Sequence, residues 1–332
     1  MDFALIWAFI LAVAVFVYVA LDGFDLGVGI LFPLLRDEEE RDTAISAIAP
    51  VWDGNETWLV LGGGGLLAAF PLAYSVIFPA LYVPLIVMLL ALIFRGVAFE
   101  YRVHSRKRKW FWDRAFFGGS LMAAFSQGIA LGTWLQGIEV TGRAYAGGWW
   151  DWVSPFSVAT GLAVVCGYAL LGAAWINLKT EGPLQKRVET LIRPLAAGTV
   201  GFIVAVSAWT PLLDGRYSLR WFAWPTMLYA VPVPILVGLT VLVLWRSIET
   251  GRAMRAFLCA EALFLLCYIG LGISVWPDIV PTNISIHEAA APDKSLGFLL
   301  VGAVVMVPAI LIYTAAAYWI FRGKVRHGGY HH

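Results

Sequence analysis

Along the chain, long apolar runs alternate with short stretches in which charged and turn-forming residues cluster. Cutting at those stretches leaves nine runs, near 4–34, 44–70, 74–100, 114–136, 155–178, 187–209, 225–245, 256–276 and 296–321. Each has the roughly 20 residues that a helix needs to cross a bilayer. The pattern predicts an all-α, polytopic membrane protein with about nine transmembrane helices, residues 1–326 forming one membrane domain and 327–332 a cytoplasmic tail. Nine crossings put the termini on opposite sides, and the basic residues choose the sides. Eighteen of the 23 Lys and Arg residues fall in alternate loops and the tail, most densely from Arg102 to Arg114. The opposite loops hold only Arg143, Arg216, Arg220 and Lys294. This asymmetry predicts an outside N-terminus and a cytoplasmic C-terminus. Met1-Asp2-Phe3 has no basic stretch before the first run, which therefore reads as a true span and not as a cleaved leader.

Composition agrees with that reading: 60% hydrophobic, 14% charged and mean hydropathy +0.78 do not describe a soluble globule. The sixteen Trp residues include Trp149, Trp150 and Trp152 in an outer loop, where indole rings suit the headgroup level. A net charge of +1, with basic residues scattered among loops, excludes a nucleic-acid partner. Cys166, Cys259 and Cys267 all lie in apolar runs, and the last two are two helical turns apart, too far for a bridge. The five histidines, His104, His287, His327, His331 and His332, lie outside every run, so no intramembrane pair of histidines offers itself to a haem. Met88, Met122, Met227 and Met306 read as packing. There is no metal-binding cluster, no Walker loop and no dinucleotide fingerprint.

The chemistry lies in two acidic intrusions. Leu21-Asp22-Gly23-Phe24-Asp25 interrupts the first run, and Val51-Trp52-Asp53-Gly54-Asn55-Glu56-Thr57-Trp58 interrupts the second. A carboxylate near the bilayer centre costs at least about 2.5 kcal/mol on insertion scales, so residues kept there are functional candidates. At 1.5 Å per residue, Asp25 and Asp53 lie about 15 Å from the cytoplasmic end and Asp22 and Glu56 about 20 Å. Each pair is spaced i, i+3 and projects from one helix face. Two such faces meeting would form a two-rung ladder that shares protons, because close like charges in a dry site do not all stay ionised. Asn55 would donate and accept within it, and the Trp52 indole N–H would donate to a carboxylate or to water. Glu56, further along, is expected to matter less than Asp25 and Asp53. The bland alternative is that these acids cap helices broken at Gly23 or Gly54, or pair with Arg95. Arg95 and Glu100 suit a structural ion pair near the inner end of the third run. The Gly62-Gly63-Gly64-Gly65 run suits close helix contact.

Asp22-Gly23-Phe24-Asp25-Leu26-Gly27-Val28-Gly29, then Ile48-Ala49-Pro50 with Trp52-Asp53-Gly54-Asn55 and Trp58-Leu59, then Phe94-Arg95 through Phe99-Glu100-Tyr101-Arg102, resemble subunit II of the cytochrome bd family of quinol oxidases. The likeness covers the whole chain and is most specific in residues 21–102. The compact length, with Glu56 and Glu100, looks closer to the cyanide-insensitive branch. The resemblance implies a multi-pass subunit of the bacterial plasma membrane that holds no catalytic residue or haem of its own. Its partner, subunit I, would carry haems b and d, or b only, oxidise quinol and reduce oxygen to water. It also implies a proton path from the cytoplasm through Trp52, Asp53 and Asp25, and an oxygen route beside Trp58. The resemblance also allows for small accessory subunits and for a structural quinone or lipid in this chain. Two other readings compete: a cation-coupled secondary transporter binding its ion at the same carboxylates, and a purely structural assembly subunit. The interruptions cluster in the first two runs and are not repeated in corresponding halves, which weighs against the transporter.

Overall fold

The computed structural model describes residues 1–105 and 108–325, so the predicted tail at 327–332 and the basic residues Arg106, Lys107 and Arg326 lie outside the described residues. Fourteen α-helices and two short β-hairpins follow one another along these residues. Eight helical segments are long and apolar enough to cross a membrane. They are Phe3–Leu34, Tyr82–His104, Lys109–Gln136, Pro155–Lys179, Gly182–Leu212, Met227–Glu249, Ala253–Val275 and Asp293–Ile320. A further helix, Trp52–Ala69, carries the second acidic intrusion and has 18 residues.

Two of the expected spans are each divided. Within 44–70, α2 (Glu38–Ser46) ends before a turn and α3 (Trp52–Ala69) begins after it. Pro50 in that turn has no N–H for a continuous ladder, and the turn is pinned where Trp175 Nε1 donates to the Ala47 carbonyl at 3.0 Å. Asp53 consequently lies in the first turn of α3, at its positive end, and not partway up a longer helix. Within 74–100, α4 (Pro71–Ala80) stops at Leu81 and α5 (Tyr82–His104) makes the crossing. The all-α expectation is also qualified by two antiparallel hairpins, β1 (Val140–Thr141) with β2 (Ala144–Tyr145) and β3 (Asp278–Val280) with β4 (Ile284–Ser285).

The site is positioned by α1 (Phe3–Leu31). Asp2 caps it by accepting from the Leu5 amide at 3.1 Å, and Pro33 lies in the 3₁₀ turn that follows. Between those ends the helix is uninterrupted, so Gly23 does not break it. The C-terminal stretch of α1, from Asp22 to Gly29, is buried at every position. That burial rests on glycine: a Cβ on Gly27 would lie 1.8 Å from the Tyr168 carbonyl oxygen, and one on Gly172 would lie 2.3 Å from the Gly27 carbonyl carbon. α1 and α7 (Pro155–Lys179) thus touch backbone to backbone, which only hydrogen side chains permit. α6 (Lys109–Gln136) packs on α1, α5 and α7. The core here is aromatic, with Phe24 stacked on Trp175 at a centroid distance of 4.2 Å. α8 (Gly182–Trp209) and α12 (Ala253–Val275) pack on α7, and α11 (Pro232–Glu249) packs on both of them.

α14 (Asp293–Ile320) returns along α1 and α3 and closes the bundle. At the end opposite the basic loops, Trp7 Nε1 donates to the Leu296 carbonyl at 3.0 Å and the Ala291 amide to the Ala69 carbonyl at 2.9 Å. At the basic-loop end, Arg102 binds Asp42 and Asp113, Arg41 binds Asp113 at 3.0 Å, and Arg187 binds Glu40 at 3.0 Å. These ion pairs tie the charged α2 to α5, α6 and α8.

Candidate functional site

Asp22 and Asp25 lie on the buried half of α1 with side chains 1% and 0% exposed. The groups facing them come from α3 and α5. Arg95, in the middle of α5 and 1% exposed, places Nη1 at 2.9 Å from Asp22 Oδ1 and at 2.7 Å from Glu56 Oε1. Its Nη2 lies 4.0 Å from Asp25 Oδ2. Asn55 is 1% exposed; its Nδ2 donates to Asp25 Oδ2 at 2.7 Å and its Oδ1 accepts from the Tyr318 hydroxyl at 3.0 Å. One guanidinium thus serves three carboxylates in a dry site. Removing the cation from such a centre typically costs about 3–5 kcal/mol, since the carboxylates are then left buried without compensation.

The arrangement departs from a two-rung ladder. Asp53 is exposed and makes no ion pair or hydrogen bond through its carboxylate among the described residues. It shares a helix face with Glu56, but that face only grazes the centre, so Glu56 reaches Arg95 while its side chain stays 27% exposed. Asp25 therefore meets Asn55 and not Asp53. Arg95 pairs with Asp22 and Glu56 and not with Glu100, whose side chain is exposed and unpaired among the described residues. The reason is helical phase: positions 95 and 100 are five residues apart, about 140° round the helix, so they face different neighbours. Trp52 lies against Gly96 and meets Phe99 in a tilted ring contact at 4.9 Å, and its indole N–H reaches no carboxylate among the described residues. Trp58 is 1% exposed and packs with Ala14 and Tyr18, its Nε1 enclosed without a hydrogen-bond partner among the described residues.

A second polar string adjoins Asp22. The Tyr168 hydroxyl donates to Gln127 Oε1 at 2.8 Å, and Gln127 Nε2 donates to the Tyr18 hydroxyl at 2.7 Å. Tyr18 is one helical turn before Asp22 on the same face of α1. None of these three stands out in the sequence as a site residue, although the i, i+4 spacing of Tyr18 and Asp22 and a Gln in the middle of the fourth apolar run are readable signals. Glu261 on α12 is also absent from the sequence-based candidates. Its Oε2 is enclosed without a partner among the described residues, and an acid inside the eighth apolar run belongs with the other four by the same reasoning. Among the described residues no group of His, Cys, Asp and Glu is arranged to hold a metal ion.

The family model for cytochrome bd terminal oxidase subunit II matches residues 3–321. The chain is 29% identical to cytochrome bd-I ubiquinol oxidase subunit 2 of Escherichia coli K12, covering 96% of this chain and 94% of that protein. It is also 29% identical to cytochrome bd ubiquinol oxidase subunit 2 of Bacillus subtilis 168, covering 97% and 96%. Among solved structures, the bd oxidase from Geobacillus thermodenitrificans contains a chain with the same fold. That match has a TM-score of 0.77 at 18% identity, over 97% of this chain and 98% of that one.

Proposed function

Because the chain belongs to the cytochrome bd terminal oxidase subunit II family, and so is a multi-pass inner-membrane subunit of an oxygen-reducing quinol oxidase, we propose that its buried acidic centre is the proton store of an uptake path from the cytoplasm. The observation that carries this reading is the ratio of charges: three carboxylates, Asp22, Asp25 and Glu56, surround the single guanidinium of Arg95. With all three ionised, two negative charges would stand uncompensated in a low-dielectric site, which favours bound protons that can be released and replaced. Quinol oxidation releases protons, and oxygen reduction to water takes them up. A subunit without haem contributes to such chemistry by supplying protons, and this centre is built for that. Asp53, exposed in the first turn of α3 and i, i+3 from Glu56, is the outer member of the path. Asn55 holds Asp25 in place, and Trp52 packs the start of α3 against α5.

The haems, b and d or b only, belong to subunit I. The face that receives this partner is proposed from α3. Asp53, Thr57, Val60, Gly64 and Leu67 are all exposed and repeat at spacings of four and three, a continuous seam along the helix. An exposed carboxylate at the foot of that seam is poorly suited to lipid and well suited to another polytopic chain. Above Gly63 and Gly64 a Cβ would meet nothing within 4 Å, so a partner helix can approach closely. Trp58, buried beside this seam, borders a route for oxygen toward the partner.

The test uses the complex of this chain with its haem-bearing partner. Asp25→Asn and Asp53→Asn should leave assembly and haem content intact while slowing quinol-driven oxygen uptake severalfold or more, because an amide does not take up and release a proton. Wild-type turnover and proton uptake in both variants would leave a purely structural subunit. Isolation of the chain without any haem-bearing partner, with cation transport in vesicles, would favour the transporter.

A further inference from the structure

We propose that Glu56 is the single titratable junction between the buried acids of α1 and the partner-facing surface, a role that rests on the proton-store reading above. Three polar routes lead out of the centre. Toward α14, Asp25 is met by Asn55, which in turn meets Tyr318. Toward α7, Tyr18 is met by Gln127, which in turn meets Tyr168. Both routes pass through a carboxamide. An amide offers N–H donors on one side and an acceptor oxygen on the other, and its hydrogen bonds are fixed in direction by that chemistry. It orients its neighbours and does not accept a proton on one atom while releasing one from another at neutral pH. Asn55 therefore insulates Asp25 from Tyr318, and Gln127 separates the two tyrosine hydroxyls of its own string.

The third route passes through Glu56. Its Oε1 and Asp22 Oδ1 are bound by the same nitrogen, Arg95 Nη1, at 2.7 and 2.9 Å. The two carboxylates compete for one cationic donor, so a proton gained by one is felt by the other. The α1 acids are at most 1% exposed, whereas the Glu56 side chain, on the helix face it shares with Asp53, is 27% exposed. Asp53 lies one turn away on that side. Glu56 thus touches both compartments, and no other titratable side chain of the centre does so among the described residues. The step balances simply. A proton arriving by way of Asp53 binds Glu56 and weakens its hold on Arg95. It then passes to the Asp22–Asp25 pair or to an acceptor on the partner, and the Glu56 carboxylate returns to Arg95 Nη1. On this geometry Glu56 matters at least as much as Asp25, which reverses the order expected from its position along the sequence.

The experiment compares E56Q, E56D and D25N in the purified complex with its haem-bearing partner, each normalised to haem. Oxygen uptake with a quinol analogue is measured together with single-turnover proton uptake, read by an indicator dye after oxygen is admitted to the reduced complex. E56Q should slow proton uptake by about tenfold or more, within the range of a lost acid–base group, and at least as much as D25N. Electron transfer within the partner before the proton-linked phase should be unchanged. E56D, which keeps a carboxyl, should recover to within about threefold of wild type. If E56Q assembles poorly, Glu56→Met carries the same comparison. Wild-type proton uptake in E56Q with slow uptake in D25N would overturn the junction and leave the proton store standing. Wild-type uptake in both would remove the two together. Equal slowing in E56Q and E56D would also overturn the junction, since it would tie the effect to packing and not to a titratable group.

Discussion

Asp22 with Asp25 on α1 and Asp53 with Glu56 on α3 are the same device in sequence: two acids spaced i, i+3 inside an apolar run. In the fold they have different fates. The α1 pair is sealed because Gly27 and Gly172 let α1 and α7 touch at the backbone, α3 and α6 pack on α1 as well, and the Arg95 side chain reaches in from α5. The α3 pair begins its helix after the Pro50 turn, so one member reaches Arg95 and the other remains on the open side. Spacing decides which acids share a face. Packing of the neighbouring helices decides which faces are inside, and so which acids store a proton and which meet the outside.

The contrast between the two pairs breaks most completely at Arg95, the cation common to both. Arg95→Ala should abolish recovery of the assembled complex. Three carboxylates would lose the cation they share, and uncompensated buried charge costs about 3–5 kcal/mol for a single broken pair. Arg95→Lys should recover only part of the complex, because an ammonium is a point charge and lacks the planar fork that spans Asp22 and Glu56. Detergent-stable yield of the complex, read by haem content and subunit stoichiometry, measures both. Normal yield of Arg95→Ala would show that the centre is solvated by some other means.

A pair of glycine substitutions separates the sealed side from the open one. Gly27→Ala would press a methyl into the Tyr168 carbonyl, where the ideal separation is 1.8 Å, so the chain itself should fold poorly even without its partner. Overpacking of this kind costs about 1–3 kcal/mol or more. Gly64→Leu meets nothing within the chain and should leave it folded alone, yet reduce its co-purification with subunit I. Gly65 is an intermediate case, because its Cβ would meet the far end of the Leu11 side chain at 2.4 Å and not backbone, so a large residue there should disturb the fold less than Gly27→Ala. Unchanged partner recovery in both Gly63→Leu and Gly64→Leu would move the docking face away from α3.

These differences mark what can be read from residues alone. The existence of the helices and their membrane character follow from apolar periodicity, which is local. The breaks at Pro50 and Leu81 are weakly signalled: Pro50 is visible, but a run that stays apolar on both sides hides the turn. The candidate site is legible as a set of acids and not as a geometry. Arg95 is visible as a lone cation in a run, yet its partners Asp22 and Glu56 lie 73 and 39 residues away, and only the packing of α5 on α1 and α3 selects them. Gln127, Tyr18 and Tyr168 carry no charge and so do not stand out. Their importance comes from the position of Asp22, which the sequence does not supply.

Trp58 offers a smaller test on the α3 side. Its indole packs against Ala14 and Tyr18 and its N–H has no partner among the described residues, so the residue acts there by bulk. Complete truncation risks about 3–5 kcal/mol of stability, so Trp58→Phe is the better variant. It should change the apparent oxygen affinity of the complex more than its quinol affinity, with haem content unchanged, as measured by oxygen-electrode titrations at saturating quinol. An effect confined to quinol, or none on oxygen, would remove Trp58 from the oxygen route.

The smallest expected effect lies outside the membrane, where an acid is free to ionise. Asp2 accepts from the Leu5 amide at 3.1 Å and faces His287 Nε2 at 2.9 Å, linking the start of α1 to the short α13 helix, Ile286–Ala289. The hydrogen bond with His287, and then that with Leu5, hold the Asp2 carboxyl below its ordinary value of 3.8. A carboxyl lowered on folding favours the folded state above its unfolded value, and that contribution disappears as pH falls through the folded value. Asp2→Asn should therefore be slightly less stable than wild type near neutral pH. The gap should persist down to about pH 4 and close below it, since a protonated carboxyl and the amide that replaces it are both uncharged. Thermal unfolding of the solubilised protein at several pH values measures the gap. A difference that stays constant through the acid range would assign the contribution to shape at the helix cap, and remove the charge on Asp2 from the closure of this end of the bundle.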